Sequence, residues 1–337
     1  MKALESFVGN PLPREILSRA VTSGKLGHAY LFSGEEGIGK RTLARAVGIG
    51  LLCPGGFPPC ETCKFCKYAA DGMHPDLMEI FPDGNTFKIA QIKELQEKLS
   101  LKPVYGGRKV FILDAVDLMN PEAANAFLKS LEEPPPETHF FLITSRPHLL
   151  PDTILSRCQQ IRFYPPSTRE IASLLLKKRE TSPAEAEKIA RRACGRVGVA
   201  LTLDSAAIDA EDQKMKRLVD PETLASHSRI FQLSEEMGRD AENLRAALDW
   251  LSLWIRDMLI WKQTSATDLL NRSEEASSYE QMEPFHMKRS LLETFHLIRN
   301  IDRNLVRNLN RSLVLENILL RIASFKNGNP LLLKESA

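Results

Sequence analysis

Gly27-His-Ala-Tyr-Leu-Phe-Ser-Gly-Glu-Glu-Gly-Ile-Gly-Lys-Arg-Thr-Leu43 joins a short apolar strand, a glycine loop ending in lysine, and the start of a helix. That order is the grammar of a phosphate-binding loop. Gly34, Gly37 and Gly39 let backbone N–H groups turn inward around an anion, Lys40 brings a point charge to the outer phosphates, and the helix adds the positive end of its dipole. The spacing Gly34-x4-Gly39-Lys40 fits, but the next position, where a Ser or Thr hydroxyl ligates magnesium, is Arg41. Thr42 comes one residue late, which on a helix turns its hydroxyl aside by roughly 100°. A bound nucleotide, ATP or ADP, is therefore expected, while the residues argue against magnesium ligation and hydrolysis.

Upstream, Asn10-Pro11 marks a turn, Ile16, Ala20 and Val21 offer a helix face, and Val8 and Gly9 are candidates to touch the base. Downstream, a helix from Lys40 to about Leu51 carries Leu43, Val47 and Leu51 on one face. The chain then enters a Pro- and Gly-rich loop in which Cys53, Cys60, Cys63 and Cys66, four of the six cysteines, fall within fourteen residues. Two overlapping Cys-x2-Cys pairs with a fourth cysteine upstream can close a tetrahedral thiolate set. Residues 53–66 are expected to hold a structural zinc ion with no position open for catalysis. His74-Pro75-Asp76 reads as a turn, four thiolates being enough.

A short strand from Leu77 to Phe81 and an amphipathic helix from about Lys88 to Leu99 follow. Lys109-Val-Phe-Ile-Leu-Asp114 is an apolar run ending in an acid, the pattern of a buried parallel strand that presents a carboxylate at its C-terminal end. With Lys40, Asp114 reads as the acid that orients magnesium in an active site of this layout, but Ala115 stands where a Glu would polarise water. Asp117 is a substitute for that Glu or, more naturally, a helix cap. A helix from Pro121 to Glu132 precedes a second buried strand, His139 to Thr144, whose Thr144-Ser145 end suits a phosphate sensor and a plain turn equally. Leu155-Ser-Arg157-Cys158 follows a short helix and leads into the strand Gln160 to Phe163.

Pro165-Pro166 reads as a linker. Ser167-x-x-Glu170 and Ser182-Pro-x-Glu185 are capping boxes opening helices to about Lys178 and Cys194. The basic residues here, Lys177, Lys178, Arg179, Lys188, Arg191, Arg192 and Arg196, face either phosphate or solvent. From about Ala210 the chain is helical: Leu244, Leu248, Leu251, Ile255 and Met258 form one stripe, Leu292, Phe295, Ile298, Leu305 and Leu309 a second, and Leu315, Leu319 and Ile322 a third. Trp250, Trp254 and Trp261 suit a core or a subunit interface. The polar stretch from Gln263 to Gln281 reads as a flexible connection.

A formal charge of +2 over 337 residues excludes nucleic-acid binding by net charge alone. No apolar run reaches the roughly 18 residues that span a bilayer, and the N-terminus lacks a signal-peptide core, so a cytoplasmic protein with no membrane partner is expected.

Strand, phosphate loop, four-cysteine insertion, acid-ended strand, Ser-Arg-Cys, small helical lid and helical C-terminal domain occur in one order. That order resembles the clamp-loader subunits of bacterial DNA polymerase III, within the AAA+ class. The resemblance is carried by His28-Ala-Tyr-Leu-Phe, the cysteine loop, Asn125-Ala-Phe-Leu-Lys-Ser-Leu-Glu-Glu-Pro-Pro135 and Ser156-Arg157-Cys158. It implies an α/β P-loop AAA+ domain with an inserted zinc loop over residues 1–164, a helical lid over 165–209 and an all-α oligomerisation domain over 210–337. Gamma/tau motor subunits of the family carry a hydroxyl after the loop lysine, a Glu after the strand Asp and a lid Arg. This chain has Arg41, Ala115 and Gly198, a pattern similar to the delta prime branch. The resemblance further implies an accessory subunit of a DNA-directed DNA polymerase that supplies Arg157 in trans to a neighbour's ATP. Its partners would be the gamma/tau and delta subunits, with the sliding clamp and primed DNA reached through the complex. The alternatives are a hydrolysing motor that uses Thr42 and Asp117, and a zinc-dependent DNA-binding protein, against which only Lys64 and Lys67 are basic in the cysteine loop.

Overall fold

A computed structural model describes residues 7–84, 86–105, 107–272, 275–282, 288–304 and 310–324. Strands β1 (Ala29–Ser33), β2 (Leu77–Ile80), β3 (Lys109–Leu113), β4 (Thr138–Thr144) and β5 (Gln159–Arg162) form one sheet in the order β2-β3-β4-β1-β5, every pair parallel. β3 and β4 are buried along their whole length, as strands covered on both faces must be, whereas edge strand β5 buries only Ile161. β1 runs between β4 and β5, with Ala29 beside Phe140 and Tyr30 beside Gln159. Its C-terminal end is thus a topological switch point, where open α/β sheets take their ligands.

Alternation along β4 sends Phe140 to one face and Phe141 to the other. Phe140 packs in a core with Phe87, Ile92 and Phe127, and Phe141 in a core with Leu17, Leu43 and Val47. The Lys40–Leu52 helix buries Leu43, Val47 and Leu51 as its spacing predicts. The Pro121–Glu132 helix is capped by Asn120, whose side chain accepts the Ala123 N–H. In the first described helix, Pro11–Thr22, the expected face is rotated: Pro13 and Leu17 are buried and Ile16 is 42% exposed. Gly9, a candidate to touch the base, packs elsewhere. It lies against Pro166, which a Cβ at Gly9 would meet at 2.7 Å.

The first compact unit is Met1–Leu203. It includes the helices Thr168–Lys178 and Pro183–Ala193, both opened by complete capping boxes, and the short helix Val197–Ala200.

The second unit, Asp204–Ala337, is helical where described. Its core gathers Leu244, Leu248, Leu251 and Ile255 of the Ala241–Thr264 helix with Leu315, Leu319 and Ile322, and Trp250 and Trp254 are wholly inside it. In the Lys288–Asn304 helix the inward positions are Leu291, Thr294 and Ile298, while Leu292 is 39% exposed. Leu305 and Leu309 lie outside the described residues.

The expected flexible connection is instead tied down by buried polar groups. Asp257, with a side chain 0% exposed, accepts the N–H groups of Asn271 at 3.0 Å and Arg272 at 3.1 Å. Arg272 donates through Nε to Asp212 (3.2 Å) and stacks 4.4 Å from the Trp250 ring, whose Nε1–H also donates to Asp212 at 2.6 Å. Leu270 and Tyr279 are buried beside this network. No apolar stripe announced it because the anchors are ionic. Among the described residues, no helix is long and apolar enough to cross a membrane.

Asp257→Ala strips the buried Arg272 amide and the half-buried Asn271 amide of their acceptor and is expected to cost the second unit about 3 kcal/mol. All three tryptophans lie in this unit, so tryptophan fluorescence in urea reads it separately. An unchanged midpoint would show that the 263–281 stretch is not held there.

Candidate functional site

Parallel strands bring their C-terminal ends to one edge of the sheet, and the chemistry collects there. A cleft of about 610 Å³ is lined by the phosphate loop, Asp114, Ala115, Asp117, Thr144 and Arg146. This is the size range of a small-ligand site.

The loop glycines sit at φ 149 (Gly34), 79 (Gly37) and 99 (Gly39). Such values let successive N–H groups point into one concavity and disfavour any residue with a Cβ. Lys40 folds back into the loop, donating to the carbonyl oxygens of Gly34 (2.6 Å) and Glu35 (2.5 Å). Burial pushes its pKa down, while the nearby carboxylates, Asp114 foremost, pull it back up. Burial pushes the Asp114 carboxyl up, against the charge of Arg41, which lowers it.

Arg41 lies over the Phe81 ring, 5.2 Å from its centroid, with nitrogens 3.9 Å from Asp114 and 3.9 Å from Glu79. Arg45 completes the group, with Nε 3.0 Å from Glu79. The residues present do not fit a magnesium ion of the usual kind: the hydroxyl position is a cation, and that cation already faces the acid that would orient the metal. Thr42 is exposed but lines the cleft.

Asp117 is not a helix cap. Its side chain is 2% exposed, accepts the Thr144 hydroxyl at 2.6 Å, and receives Arg146 Nε at 2.8 Å. Thr144 Oγ1 in turn accepts the Arg146 N–H at 2.9 Å. Ala115 lines the cleft at φ 55, and a Cβ built at Gly198 meets nothing within 4 Å, so the cleft has room for a longer side chain at that second position. Gly198 donates its N–H to the Gly37 carbonyl at 3.3 Å. Arg196 turns back to the Ala193 carbonyl (3.4 Å) instead. Val8 lines the cleft, as does Lys178 from the ambiguous basic set. Sequence reading passed over Arg146 and Glu79. The one signal for Glu79 was a charge inside a four-residue strand otherwise made of apolar residues.

Arg157 is not among the residues lining this cleft. It follows the short helix Asp152–Leu155, donates to the Thr153 carbonyl at 2.9 Å, and pairs with Glu132 at 2.6 Å. Its side chain remains 36% exposed.

The four cysteine sulfurs lie within 4.8 Å of one another, with Cys53 to Cys60 at 3.5 Å and Cys60 to Cys66 at 3.9 Å. Thiolates 2.3 Å from one tetrahedral zinc stand about 3.8 Å apart, so the donor set fits that ion. Backbone N–H groups of Cys63 and Thr62 hold the Cys60 thiol down to about 5, whereas burial pushes Cys66 up. Arg45 donates to the Ala69 and Ala70 carbonyls at 2.7 Å each, fastening the helix Lys64–Ala70 to the phosphate-loop helix. His74 is buried away from this set, its Nδ1 accepting the Asp76 N–H at 3.1 Å as a turn residue would.

The family model described as DNA polymerase III, delta subunit, matches residues 9–167, and that described as DNA polymerase III, delta subunit, C terminal, matches residues 221–324. The chain is 40% identical over 181 residues to DNA polymerase III subunit delta' of Bacillus subtilis, covering 53% of this chain and 55% of that one. It is 36% identical over 221 residues to subunit tau/gamma of Haemophilus influenzae (64% and 32%). Against subunit gamma of Buchnera aphidicola subsp. Baizongia pistaciae it is 30% identical over 261 residues (74% and 70%). The chain thus spans about half, or less, of the length of the first two of these relatives. The crystal structure of a DNA polymerase III gamma subunit-related protein from Thermotoga maritima shares the fold, with a TM-score of 0.51, 20% identity, and coverage of 93% of this chain and 99% of that one.

Asp117→Ala removes the acceptor shared by Thr144 and Arg146 and is expected to destabilise the end of β4 by about 2 kcal/mol. Amide hydrogen exchange should speed up at residues 144–146 and not in β3. Uniform acceleration through the sheet would contradict this local role.

Proposed function

Since the chain belongs to the clamp-loader subunit family of DNA polymerase III, we propose that it is a delta prime-like stator, a largely non-hydrolysing member of a ring whose neighbour hydrolyses ATP. The observation that carries this reading is the split within one cleft. The glycine cradle and Lys40 remain, while Arg41, Ala115 and Gly198 stand where the hydroxyl, the water-polarising acid and the lid arginine of a motor would be. Relatives of both the delta prime and the tau/gamma kind match the chain, so the choice between them rests on these three residues.

In this reading Arg157 is the catalytic contribution, delivered in trans. Lying outside its own cleft and over one third exposed, it is available to an adjacent subunit. A guanidinium placed on the phosphoryl group being transferred stabilises the charge that develops there, and such fingers are worth about 10³ to 10⁵ in rate. The ion pair with Glu132 is between exposed groups and holds the arginine only weakly, by about 1 kcal/mol or less. It orients Arg157 without locking it. The helical second unit would make the ring contacts, and the ring as a whole would open a sliding clamp onto primed DNA. The cysteine cluster would hold a zinc ion as an internal staple.

In a ring reconstituted with gamma/tau-type ATPases, Arg157→Ala should lower the rate at the adjacent site by about 10³-fold or more while the other sites continue. Unchanged turnover removes the finger, and Lys40-dependent hydrolysis by the purified chain alone assigns the motor role instead.

Elemental analysis of the chain purified without chelators should give one zinc per molecule, lost in Cys66→Ala. A chain free of zinc removes the staple.

A further inference from the structure

The position after Lys40 faces the strand-end acid across the cleft, and in this chain it carries a fixed positive charge. The Arg41 guanidinium carbon lies over the Phe81 ring, 5.2 Å from its centroid, with nitrogens 3.9 Å from Asp114 and 3.9 Å from Glu79. At that separation the pairs are electrostatic and not hydrogen bonds. The guanidinium's donors are therefore not spent on either acid, and their planar fork suits phosphate oxygens. Glu79 is meanwhile engaged by Arg45 at 3.0 Å, which leaves Asp114 as the carboxylate that Arg41 balances. A divalent ion placed against Asp114 would lie within a few ångströms of this cation and be repelled by it.

We propose that Arg41 is a resident cation standing in for magnesium, so that the cleft takes the phosphates of a metal-free nucleoside di- or triphosphate in preference to the magnesium complex. This rests on reading the glycine loop as a nucleotide cradle, and adds the ionic form of the ligand. Lys40 exchanges its carbonyl partners, Gly34 and Glu35, for phosphate oxygens, and Arg41 takes up charge on the side of Asp114. Diphosphates hold magnesium less tightly than triphosphates, so in the presence of the metal the site favours ADP over ATP.

The test is calorimetric titration of the full chain with ADP and with ATP, in EDTA and in excess magnesium chloride. The expected result is tighter binding in EDTA by roughly tenfold, the scale of one charge-assisted hydrogen bond. Arg41→Thr, which restores a hydroxyl at that position, should reverse the preference. Magnesium that tightens binding to the native chain overturns the proposal without recourse to any variant, and so does absence of binding in both conditions. Neither result touches Arg157. A chain that binds no nucleotide, but whose Arg157→Ala form still slows its neighbour, sinks this inference and leaves the stator reading standing.

Discussion

The cleft of the first unit depends on the strands being parallel. In a parallel sheet all strands deliver their next residue to the same edge, so Lys40 after β1, Asp114 after β3 and Thr144 at the end of β4 converge although they lie far apart in sequence. Placing β1 between β4 and β5 opens a crevice at its end. Burial enforces the arrangement, because Leu31, Phe32, Ile112 and Phe141 leave no solvent face on which those strands could slip register.

Within the cleft, charge is arranged in two separate sets. Arg41 faces Asp114 and Glu79, and Arg146 faces Asp117, which also fixes Thr144. Each acid is thus already met by protein. Asp117 is committed to Thr144 and Arg146, whereas Asp114 accepts the Ala115 N–H at 3.0 Å and is balanced by the Arg41 charge 3.9 Å away. The second set is the tighter of the two, since the Asp117 side chain is almost wholly buried and its hydrogen bonds are short. In the stator reading proposed above, the loop is kept while turnover chemistry is lost: the loop would work through backbone N–H groups and Lys40, which none of these pairs consumes.

Much of this was legible in the sequence where a pattern has one physical cause. Continuous apolar runs gave β3 and β4, the glycine spacing gave the loop, and the cysteine spacing gave a set of sulfurs that closes in space. Polar anchoring was not legible. Asp212, Asp257 and Arg272 carry no periodicity, so the segment they bind read as a loose connection. Arg146 went unread for a similar reason, since a cation two residues past a strand is ordinary until Asp117 is known to lie opposite. Errors of helix face, at Ile16 and Leu292, arose where two adjacent apolar residues left the phase ambiguous and packing chose Leu17 and Leu291.

The loop glycines themselves carry less functional weight than their motif suggests. A Cβ at Gly34 would meet the Phe163 carbonyl at 2.6 Å and Ile38 at 2.9 Å, one at Gly37 would meet Arg196 at 3.2 Å, and one at Gly39 would meet Phe7 at 3.0 Å. Each is demanded by the protein's own packing and by its positive φ, whether or not an anion ever enters. Lys40 satisfies the empty loop by bonding to its carbonyls, so the cradle is stable without ligand. A chain that had lost all use for nucleotide would keep the same glycines. What packing does not explain is a second cation, Arg41, set beside Lys40 with its donors unspent on the acids it faces. Arg41 beside Lys40 is the feature of the cleft that packing leaves unaccounted for, and the proposed phosphate site rests on that pair together with the backbone N–H groups of the loop.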